Sequence, residues 1–486
     1  MRLRRTTTYD LVVLGGGTGG LVSAQVAAGT GARVALVERE RTGGDCLWTG
    51  CVPSKSLIAA SDLAHGVRRA QEYGLEARLD PVSLDRVMER VQRVIAEIEP
   101  HDSPQRLREA GVDVIEGPGA FTDPHTLTVD ARQVLFRSAI VATGAAPVVP
   151  AIPGMEGTDV LTSDTIWGLR DLPERLVVLG GGPIGCELGQ ALGRLGSEVA
   201  IVDVADRLLP KDEPEAATMV AEHLAAEGIA LHLQTRAVEM RRDDDGRGQL
   251  AIEGPDGPAV LPFDALLVAV GRRARTDGIG LARLGVTADE HGQIPVANDL
   301  RTSARHVFAV GDVTGRLPFT HVAAHHARIA TVNALFGTRR RVDPVLPWVT
   351  FTRPEVAHVG LTLAEARERH GDRLTVARSD LAVLDRAVTD GRAAGFCLLV
   401  GDRRGRLLGA TVVGGAAGEV IAELTARVKH RDPIDAVSTT VHAYPTMAEG
   451  PARAADEYLR RKYAQPLPRT IARLALGARR LASPTN

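Results

Sequence analysis

Two cysteines near the start of the chain are the residues best suited to chemistry. Cys46 and Cys51 have four residues between them, close enough for a small-loop disulfide if a turn brings the thiols together. Pro53 marks a predicted helix start, and a thiol near a helix N-terminus has a lowered pKa. Such a pair can store two electrons as a disulfide/dithiol couple. The alternative is two unrelated buried thiols.

The other side chains near this pair, and the other cysteines, narrow the chemistry. Lys55 lies four residues after Cys51, one helical turn on, so it shares a face of the predicted helix with that thiol. Cys186 and Cys397 stand alone in the sequence and are predicted to be small core residues. Because no second closely spaced cysteine pair is present, we expect no zinc or other resident metal.

The elements around the cysteines contain one internal repeat, whose copies begin at Gly15 and Gly180, 165 residues apart. In each copy an apolar strand runs into a Gly-x-Gly-x-x-Gly turn that opens a helix, and an acid ends the next strand. This is the pattern of a dinucleotide-binding unit, where the helix N-terminus faces a pyrophosphate and the acid binds a ribose. The alternative is two glycine-rich turns without a ligand. The predicted binding residues are Gly15, Gly17, Gly20 and Glu38 in one copy, and Gly180, Gly182, Gly185 and Asp203 in the other.

Later apolar strands complete each half of the predicted α/β fold. They end at Gly144 and Gly271, which we also assign to cofactor binding, and a third such strand ends at Asp312. We predict two Rossmann-like dinucleotide-binding domains and a C-terminal α+β domain. The predicted segments are 1–150 (first nucleotide domain, with the cysteines in an insertion at about 43–110), 151–276 (second nucleotide domain), 277–346 (return to the first), 347–465 (α+β domain) and 466–486 (basic tail).

Composition and charge exclude several classes of protein. The 486 residues are 44% hydrophobic with a formal net charge of −2, as in an ordinary globular protein of about three domains. Only 3% are aromatic, which argues against base stacking, and we expect no nucleic-acid partner. Glycines interrupt the apolar run from Leu11, so we predict no signal peptide, no transmembrane segment and a cytoplasmic location.

Taken together, these motifs resemble those of the pyridine nucleotide-disulfide oxidoreductase family of flavoproteins, which includes dihydrolipoamide dehydrogenase, glutathione reductase and mercuric reductase. The resemblance runs from about Tyr9 to about Tyr463. It implies FAD in the first nucleotide site and NAD(P)H in the second. It also implies that the C-terminal domain forms a homodimer and that electrons pass to a small-molecule acceptor.

The resemblance also implies roles for individual residues of this chain. Cys46 would be the thiol that faces the substrate, and Cys51 would lie against the flavin. Lys55 would sit near flavin N5, paired with Glu187, and Asp312 would hold the ribityl chain.

Asp203 bears on the choice of nicotinamide cofactor. An acid at this strand end accepts a hydrogen bond from a free ribose 2′-hydroxyl and repels a 2′-phosphate. Arg207 follows four residues later, so NADPH is not excluded. We favour NADH.

The segment around Tyr444 departs from most of the family. Lipoamide dehydrogenase and glutathione reductase have a His-Pro-Thr motif whose histidine is the acid/base for thiol exchange in the partner subunit. Here Tyr444 takes the histidine position, and Glu449, which would orient the histidine, is retained. A tyrosine, with a pKa near ~10, is a poor proton acceptor at neutral pH. His442 is a candidate displaced base, although a loop histidine at the subunit interface is the interpretation that we favour.

Three alternatives for the activity remain open at this point. The Tyr444 segment looks more like mercuric reductase, but no cysteine follows Cys397 to form the C-terminal pair of those enzymes. A dihydrolipoyl dehydrogenase is the second alternative. The third is an NADH:acceptor flavoprotein whose cysteines are structural.

The basic tail, 466–486, has the residue pattern of an amphipathic helix. Apolar residues recur at helical spacing between Arg469 and Leu481, with arginines between them. Peripheral contact with a membrane surface is one interpretation. We favour a helix docked on the protein's own dimer.

Overall fold

The computed structural model describes residues 8–156, 159–242 and 247–482. The described residues form two compact units. The first lies within Met1–Leu208 and Leu224–Asp343, and the second within Leu209–His223 and Pro344–Asn486.

The described part of the chain alternates strands and helices along most of its length. The strands are β1 Thr8–Leu14, β2 Val34–Glu38, β3 Val112–Glu116, β4 Gly119–Asp123, β5 Thr126–Val129, β6 Arg132–Val141, β7 Ala145–Pro147, β8 Leu161–Thr162, β9 Arg175–Leu179, β10 Glu198–Val202, β11 Ala230–His232, β12 Arg236–Arg242, β13 Gly248–Gly254, β14 Gly257–Phe263, β15 Ala265–Val268, β16 Arg272–Ala274, β17 Val307–Ala309, β18 Pro347–Thr350, β19 Glu355–Gly360, β20 Thr375–Asp380, β21 Phe396–Gly401 and β22 Leu407–Gly414. The α-helices are α1 Thr18–Gly29, α2 Gly44–Trp48, α3 Cys51–Arg68, α4 Leu84–Ile98, α5 Pro104–Glu109, α6 Pro183–Leu195, α7 Pro214–Ala226, α8 Thr320–Phe336, α9 Leu363–His370, α10 Asp385–Thr389, α11 Ala417–His430, α12 Ile434–Ser438, α13 Glu449–Ala464 and α14 Pro466–Ala482.

A seven-stranded sheet positions the first glycine turn and the cysteines. Its order is β3-β2-β1-β6-β5-β4, with β17 paired to β6, and the pairs β1–β2, β1–β6, β2–β3 and β6–β17 are parallel. The central strand β1 is buried from Leu11 to Leu14, as expected for an apolar strand inside a parallel sheet. Helices α2 to α5, which carry the cysteines, lie between β2 and β3 in the chain.

A second sheet repeats this arrangement. Its order is β11-β10-β9-β15-β8, and all of its pairs are parallel. The glycine turn between β9 and α6 corresponds to the turn between β1 and α1. In both sheets the glycine turn therefore connects the carboxyl end of a strand directly to the N-terminus of a helix.

The second unit is built on an antiparallel sheet of order β18-β19-β22-β21-β20. Helices α11, α12 and α13 contribute to a core with the inner faces of β21 and β22. The predicted α/β class, with two Rossmann-like sheets and a separate α+β region, is confirmed. The residue boundaries predicted for the individual domains stay predictions.

Candidate functional site

The two thiols lie on a tight turn between α2 and α3. Helix α3 begins at Cys51 itself, two residues before the start predicted at Pro53. Gly50 permits the turn, because a Cβ there would lie 2.8 Å from the Asp45 carbonyl oxygen. Both cysteines are free thiols in the structure.

The same turn is held against the first glycine loop. The Gly43 N–H donates to the Gly16 carbonyl at 2.9 Å. Gly44, at φ +57°, approaches so closely that a Cβ there would lie 2.5 Å from the Gly17 Cα. A side chain at position 44 would therefore separate the two loops, and glycine keeps the thiols close to the predicted pyrophosphate site.

The electrostatics of the two thiols differ sharply. A hydrogen bond from Cys46 is the largest cause that lowers the pKa of Cys51, to about 6, against the opposing effect of burial. The Thr320 hydroxyl, 3.2 Å from the Cys51 Sγ, and the Lys55 cation lower it further. The same hydrogen bond, together with burial, raises the pKa of Cys46. These contacts favour the thiolate form at Cys51 and the protonated form at Cys46.

Thr320 was missed by sequence reasoning. It is the first residue of α8, 269 positions from Cys51 in the chain, and no local motif links the two. The only available signal was its position eight residues after Asp312, at the start of a helix that follows a predicted cofactor strand.

Removal of the Thr320 hydroxyl is expected to raise the pKa of Cys51. In the reduced protein the rate of alkylation by iodoacetamide should be half-maximal near pH 6, with the thiolate lost as the pH falls below that value. Thr320→Val should move this midpoint upward by roughly one pH unit, since one hydrogen bond to the thiolate is lost. The matched control is Ser54→Ala, which removes a hydroxyl bonded to the Cys51 carbonyl instead of its thiol. Equal midpoints in wild type and Thr320→Val would contradict the assignment.

An ion pair lies one helical turn beyond Cys51. The Lys55 Nζ on α3 lies 2.6 Å from the Glu187 Oε2 on α6. The Glu187 side chain is only 8% exposed, whereas that of Lys55 is 37% exposed. The buried carboxylate can therefore hold the ammonium group in one orientation next to the thiolate.

The first glycine loop has the shape that an ADP moiety requires. A Cβ on Gly15 or Gly20 would overlap backbone, at 2.4 Å from the Ala142 oxygen and 1.8 Å from the Gly15 oxygen respectively. At Gly17 a Cβ would meet only a glycine Cα, at 3.8 Å, so this position leaves open space at the N-terminus of α1. Glu38 accepts from the Gly16 N–H, and from the Glu40 N–H at 2.8 Å. The residues therefore fit the adenosine diphosphate half of FAD.

The second loop matches the first in detail. A Cβ on Gly180 would lie 2.4 Å from the Ala269 oxygen, and one on Gly185 would lie 1.9 Å from the Gly180 oxygen. A Cβ on Gly182 would meet nothing within 4 Å, so that position is open to a ligand. Asp203 accepts from the Gly181 N–H, and from the Ala205 N–H at 2.7 Å.

The two glycines predicted at strand ends, Gly144 and Gly271, lie beside a short two-stranded antiparallel sheet. Gly144 and Gly271 stand directly before β7 and β16, which pair antiparallel. Gly144 has a φ of +70°, and its carbonyl accepts a hydrogen bond from the Arg275 N–H. Gly271 has a φ of +141°, and its carbonyl accepts a hydrogen bond from the Val148 N–H. Both positions have left-handed backbone, which favours glycine.

A network of two arginines and three acids joins this two-stranded sheet to the thiol turn, and sequence reasoning missed it. Arg272 pairs with Asp45, which directly precedes Cys46, and its Nε lies 3.9 Å from the Asp312 Oδ2. Burial raises the pKa of Asp312, and the Arg272 cation opposes that rise. The Arg272 Nε is itself buried without a hydrogen-bond partner among the described residues. Arg275 and Asp164 complete the network, at 3.3 Å from each other.

The Tyr444 segment lies in the second unit. The Tyr444 hydroxyl donates to the Asp385 Oδ2 at 2.6 Å, and this bond raises the pKa of the tyrosine. Glu449 instead accepts from the Thr446 N–H at 3.4 Å and from Arg453, so it does not contact Tyr444 in the way the resemblance predicts for a histidine. With its pKa raised further from neutrality, Tyr444 is a poor general base.

His442 has a carboxylate partner of its own. Its Nε2 lies 2.8 Å from the Glu423 Oε2, and its side chain is 9% exposed. This is the arrangement in which a carboxylate fixes the tautomer and orientation of an imidazole.

Within residues 8–156, 159–242 and 247–482, no group of three or more His, Cys, Asp or Glu side chains is arranged to hold a metal ion. Over the same ranges, none of the helices has both the length and the apolar character needed to cross a membrane.

Comparisons with known proteins agree with this geometry. Residues 9–327 match the family model described as pyridine nucleotide-disulphide oxidoreductase, and residues 346–455 match that family's dimerisation domain. A mercuric reductase of Streptomyces lividans is 37% identical over 94% of this chain and 97% of its own length. A dihydrolipoyl dehydrogenase of Thermus scotoductus is 36% identical over 92% of this chain and 97% of its own. The solved HOCl-induced flavoprotein disulfide reductase RclA of Escherichia coli is 28% identical with a TM-score of 0.82, over 92% of this chain and 99% of that one.

Proposed function

We propose that this chain, which belongs to the pyridine nucleotide-disulfide oxidoreductase family, is an NAD(P)H oxidoreductase that passes electrons through a redox-active Cys46–Cys51 pair. Family members use FAD and a pyridine nucleotide, and both glycine loops fit such ligands. The observation that carries the proposal is the thiol pair itself. A hydrogen bond links its two thiols, and the pKa of Cys51 is lowered to about 6.

The electron balance of the cycle is simple. NADH reduces the Cys46–Cys51 disulfide to a protonated Cys46 and a Cys51 thiolate and leaves NAD⁺, and a further proton is taken up only where Cys51 is protonated. FAD held by the first glycine loop would supply the hydride-accepting chemistry between the nucleotide and the disulfide. The dithiol then gives two electrons to a small-molecule acceptor, and the disulfide forms again.

The chain's own residues divide this work. Cys51 holds the negative charge of the reduced pair, and the Thr320 hydroxyl and the Lys55 ammonium group stabilise that charge. Glu187 orients Lys55, and the protonated Cys46 is the thiol that exchanges with the acceptor. Asp312 and Arg272 lie next to the thiol turn, where Asp312 would bind the ribityl chain of FAD.

Alkylation of the NADH-reduced protein tests the redox role of the cysteines. A disulfide enzyme should gain two alkylated thiols when NADH is added before iodoacetamide, as measured by intact mass. Heat-inactivated protein treated in the same way is the control for chemical reduction. If the number of alkylated cysteines is the same with and without NADH, the cysteines are structural, and the protein is an NADH:acceptor flavoprotein.

Asp203 is the residue that we propose to favour NADH. Asp203→Ala should raise KM for NADH and narrow the difference in kcat/KM between NADH and NADPH. The reason is that the lost acid both bound the ribose and repelled a 2′-phosphate. Removal of one charged hydrogen bond should change kcat/KM for NADH by roughly tenfold. The matched control is Asp206→Ala, which removes an acid paired with Arg207. Unchanged kinetics with both nucleotides would show that Asp203 does not contact the ribose.

The acceptor is a disulfide, a quinone-like compound or a metal ion. The tyrosine at position 444, in place of a histidine base, favours a metal ion such as Hg²⁺ over dihydrolipoamide. A steady-state screen of NADH oxidation against disulfides, quinones and Hg²⁺ distinguishes these acceptors. The substrate is the one whose kcat/KM falls when Cys46 is replaced by serine.

We further propose a homodimer in the cytoplasm. The match of residues 346–455 to a dimerisation domain supports the dimer. A reducing compartment suits a pair of thiols that must return to the dithiol state. Light scattering of the FAD-loaded protein measures the oligomeric state.

A further inference from the structure

The last helix, α14, has an apolar stripe that the single chain leaves exposed. Leu467, Ile471 and Leu474 are 71%, 59% and 70% exposed. These positions are four and then three residues apart, so they lie on one face of the helix, and Ala478 continues the stripe. A stripe of this kind normally faces a partner.

The opposite face of α14 is basic. Arg469 lies two positions from Leu467, which is about 200° around an α-helix, and Arg473 and Arg480 lie on the same side as Arg469. No aspartate or glutamate occurs from Tyr458 to Asn486. The helix α14 therefore contains four arginines and no acidic residue.

The charge of the tail contrasts with that of the rest of the chain. The whole sequence has a net charge of −2, and residues 466–486 contribute +4, so residues 1–465 carry −6. The basic charge is thus concentrated on an amphipathic helix that begins after a single extended residue, Gln465. Two such helices that paired through their apolar stripes would turn their basic faces away from each other, so a dimer of this kind would not engage the arginines.

We propose that α14 is a docking surface for an anionic lipid bilayer. A bilayer supplies both things that the helix requires, an apolar layer for the leucine and isoleucine side chains and negative headgroups for the arginines. The long arginine side chains can reach the headgroups while the apolar stripe is buried. The helix would lie in the plane of the membrane surface.

Vesicle co-sedimentation of the FAD-loaded full chain tests this proposal. Wild type should bind vesicles of equimolar phosphatidylcholine and phosphatidylglycerol, and bind pure phosphatidylcholine vesicles far less. Added salt should weaken the binding, because it screens the arginines. Arg469→Gln with Arg473→Gln should lower the partition coefficient by about thirtyfold, since each arginine near an anionic surface contributes about fivefold.

The apolar stripe has a matched control within the same helix. Ile471→Ser with Leu474→Ser should weaken binding by at least about tenfold. Leu476→Ser makes the same chemical change at an exposed residue that lies off the stripe, and it should bind almost as well as wild type. All variants should keep the wild-type rate of NADH oxidation, because α14 contributes no residue to the proposed redox site.

Two results would overturn the proposal. One is wild-type protein that does not bind the anionic vesicles, or binds them equally after the Arg469 and Arg473 changes. The other is a loss of dimer mass in the Ile471 and Leu474 variant, measured by light scattering without lipid. That loss would show that the stripe belongs to the subunit interface.

Discussion

Cys46→Ser is expected to show a long-wavelength absorbance band in the FAD-loaded protein without any reductant, and Cys51→Ser is expected to show none. A thiolate that lies against oxidised flavin is a good electron donor and gives such a band. In Cys46→Ser the remaining Cys51 cannot form a disulfide, so it stays a thiol. The Lys55 cation and the Thr320 hydroxyl still favour its thiolate form.

Loss of the Cys46 proton donor changes the pH at which the band appears. The hydrogen bond from Cys46 is the largest cause that lowers the pKa of Cys51. A serine hydroxyl is a donor at the same position, so Cys46→Ser should keep much of this effect, whereas Cys46→Ala should shift the band to higher pH. A pH titration of the visible spectrum measures both midpoints.

The control for these variants is a cysteine outside the site. Cys186 is buried and donates to the Gly181 carbonyl, so Cys186→Ala should leave the band of the two-electron-reduced protein unchanged. Both Cys46→Ser and Cys51→Ser should lose turnover with a disulfide acceptor, because neither can complete the dithiol/disulfide cycle. A band that persists in Cys51→Ser would show that Cys51 is not the thiol next to the flavin.

Tyr444→His is expected to raise dihydrolipoamide turnover by up to ~10²–10⁴-fold, the range typical of general base catalysis. Tyr444 donates its hydroxyl hydrogen to Asp385 and has a raised pKa, so the wild-type protein has no effective base at this position. Histidine restores the His-Pro-Thr motif. Glu449, five residues on, accepts from Thr446 and Arg453 in the wild type, so it would have to turn toward the new imidazole to orient it. NADH-driven flavin reduction should not change, because it occurs on the other side of the flavin ring.

The matched control is Tyr444→Phe. It breaks the bond to Asp385 but supplies no base, so it separates the gain of a base from the loss of that bond. Stopped-flow measurement of both half-reactions in wild type and in the two variants tests the prediction. If wild type already turns over dihydrolipoamide rapidly and Tyr444→His gives no gain, the mercuric-like interpretation of the segment is wrong. His442, held by Glu423, is then the base to test.

Local patterns were sufficient to predict the sheets and the glycine turns. A parallel strand that opens through a tight turn into a helix requires apolar residues, glycines and an acid at set spacings, all within about 25 residues of the chain. The structure places Gly15 and Gly180 in the same strained conformation, and Glu38 and Asp203 next to their loops, for this reason. The helix start at Cys51 was predicted two residues late, because Pro53 is favourable within the first turn and does not by itself define the first residue.

The sequence by itself therefore determined the family, the α/β class and the paired nucleotide folds, whereas the redox role of the cysteine pair stays a prediction. Only the tertiary structure decided which groups surround the thiols. Thr320 reaches Cys51 across 269 residues, and Arg272 reaches Asp45 across 227. Such contacts form where strands and helices that are distant in the chain end near one another in space. The spacing of residues in the sequence does not predict these contacts. Thr320 adds to the local hydrogen bond from Cys46 in lowering the pKa of Cys51, because a pKa depends on the charges and donors within a few ångströms, whatever their distance along the chain.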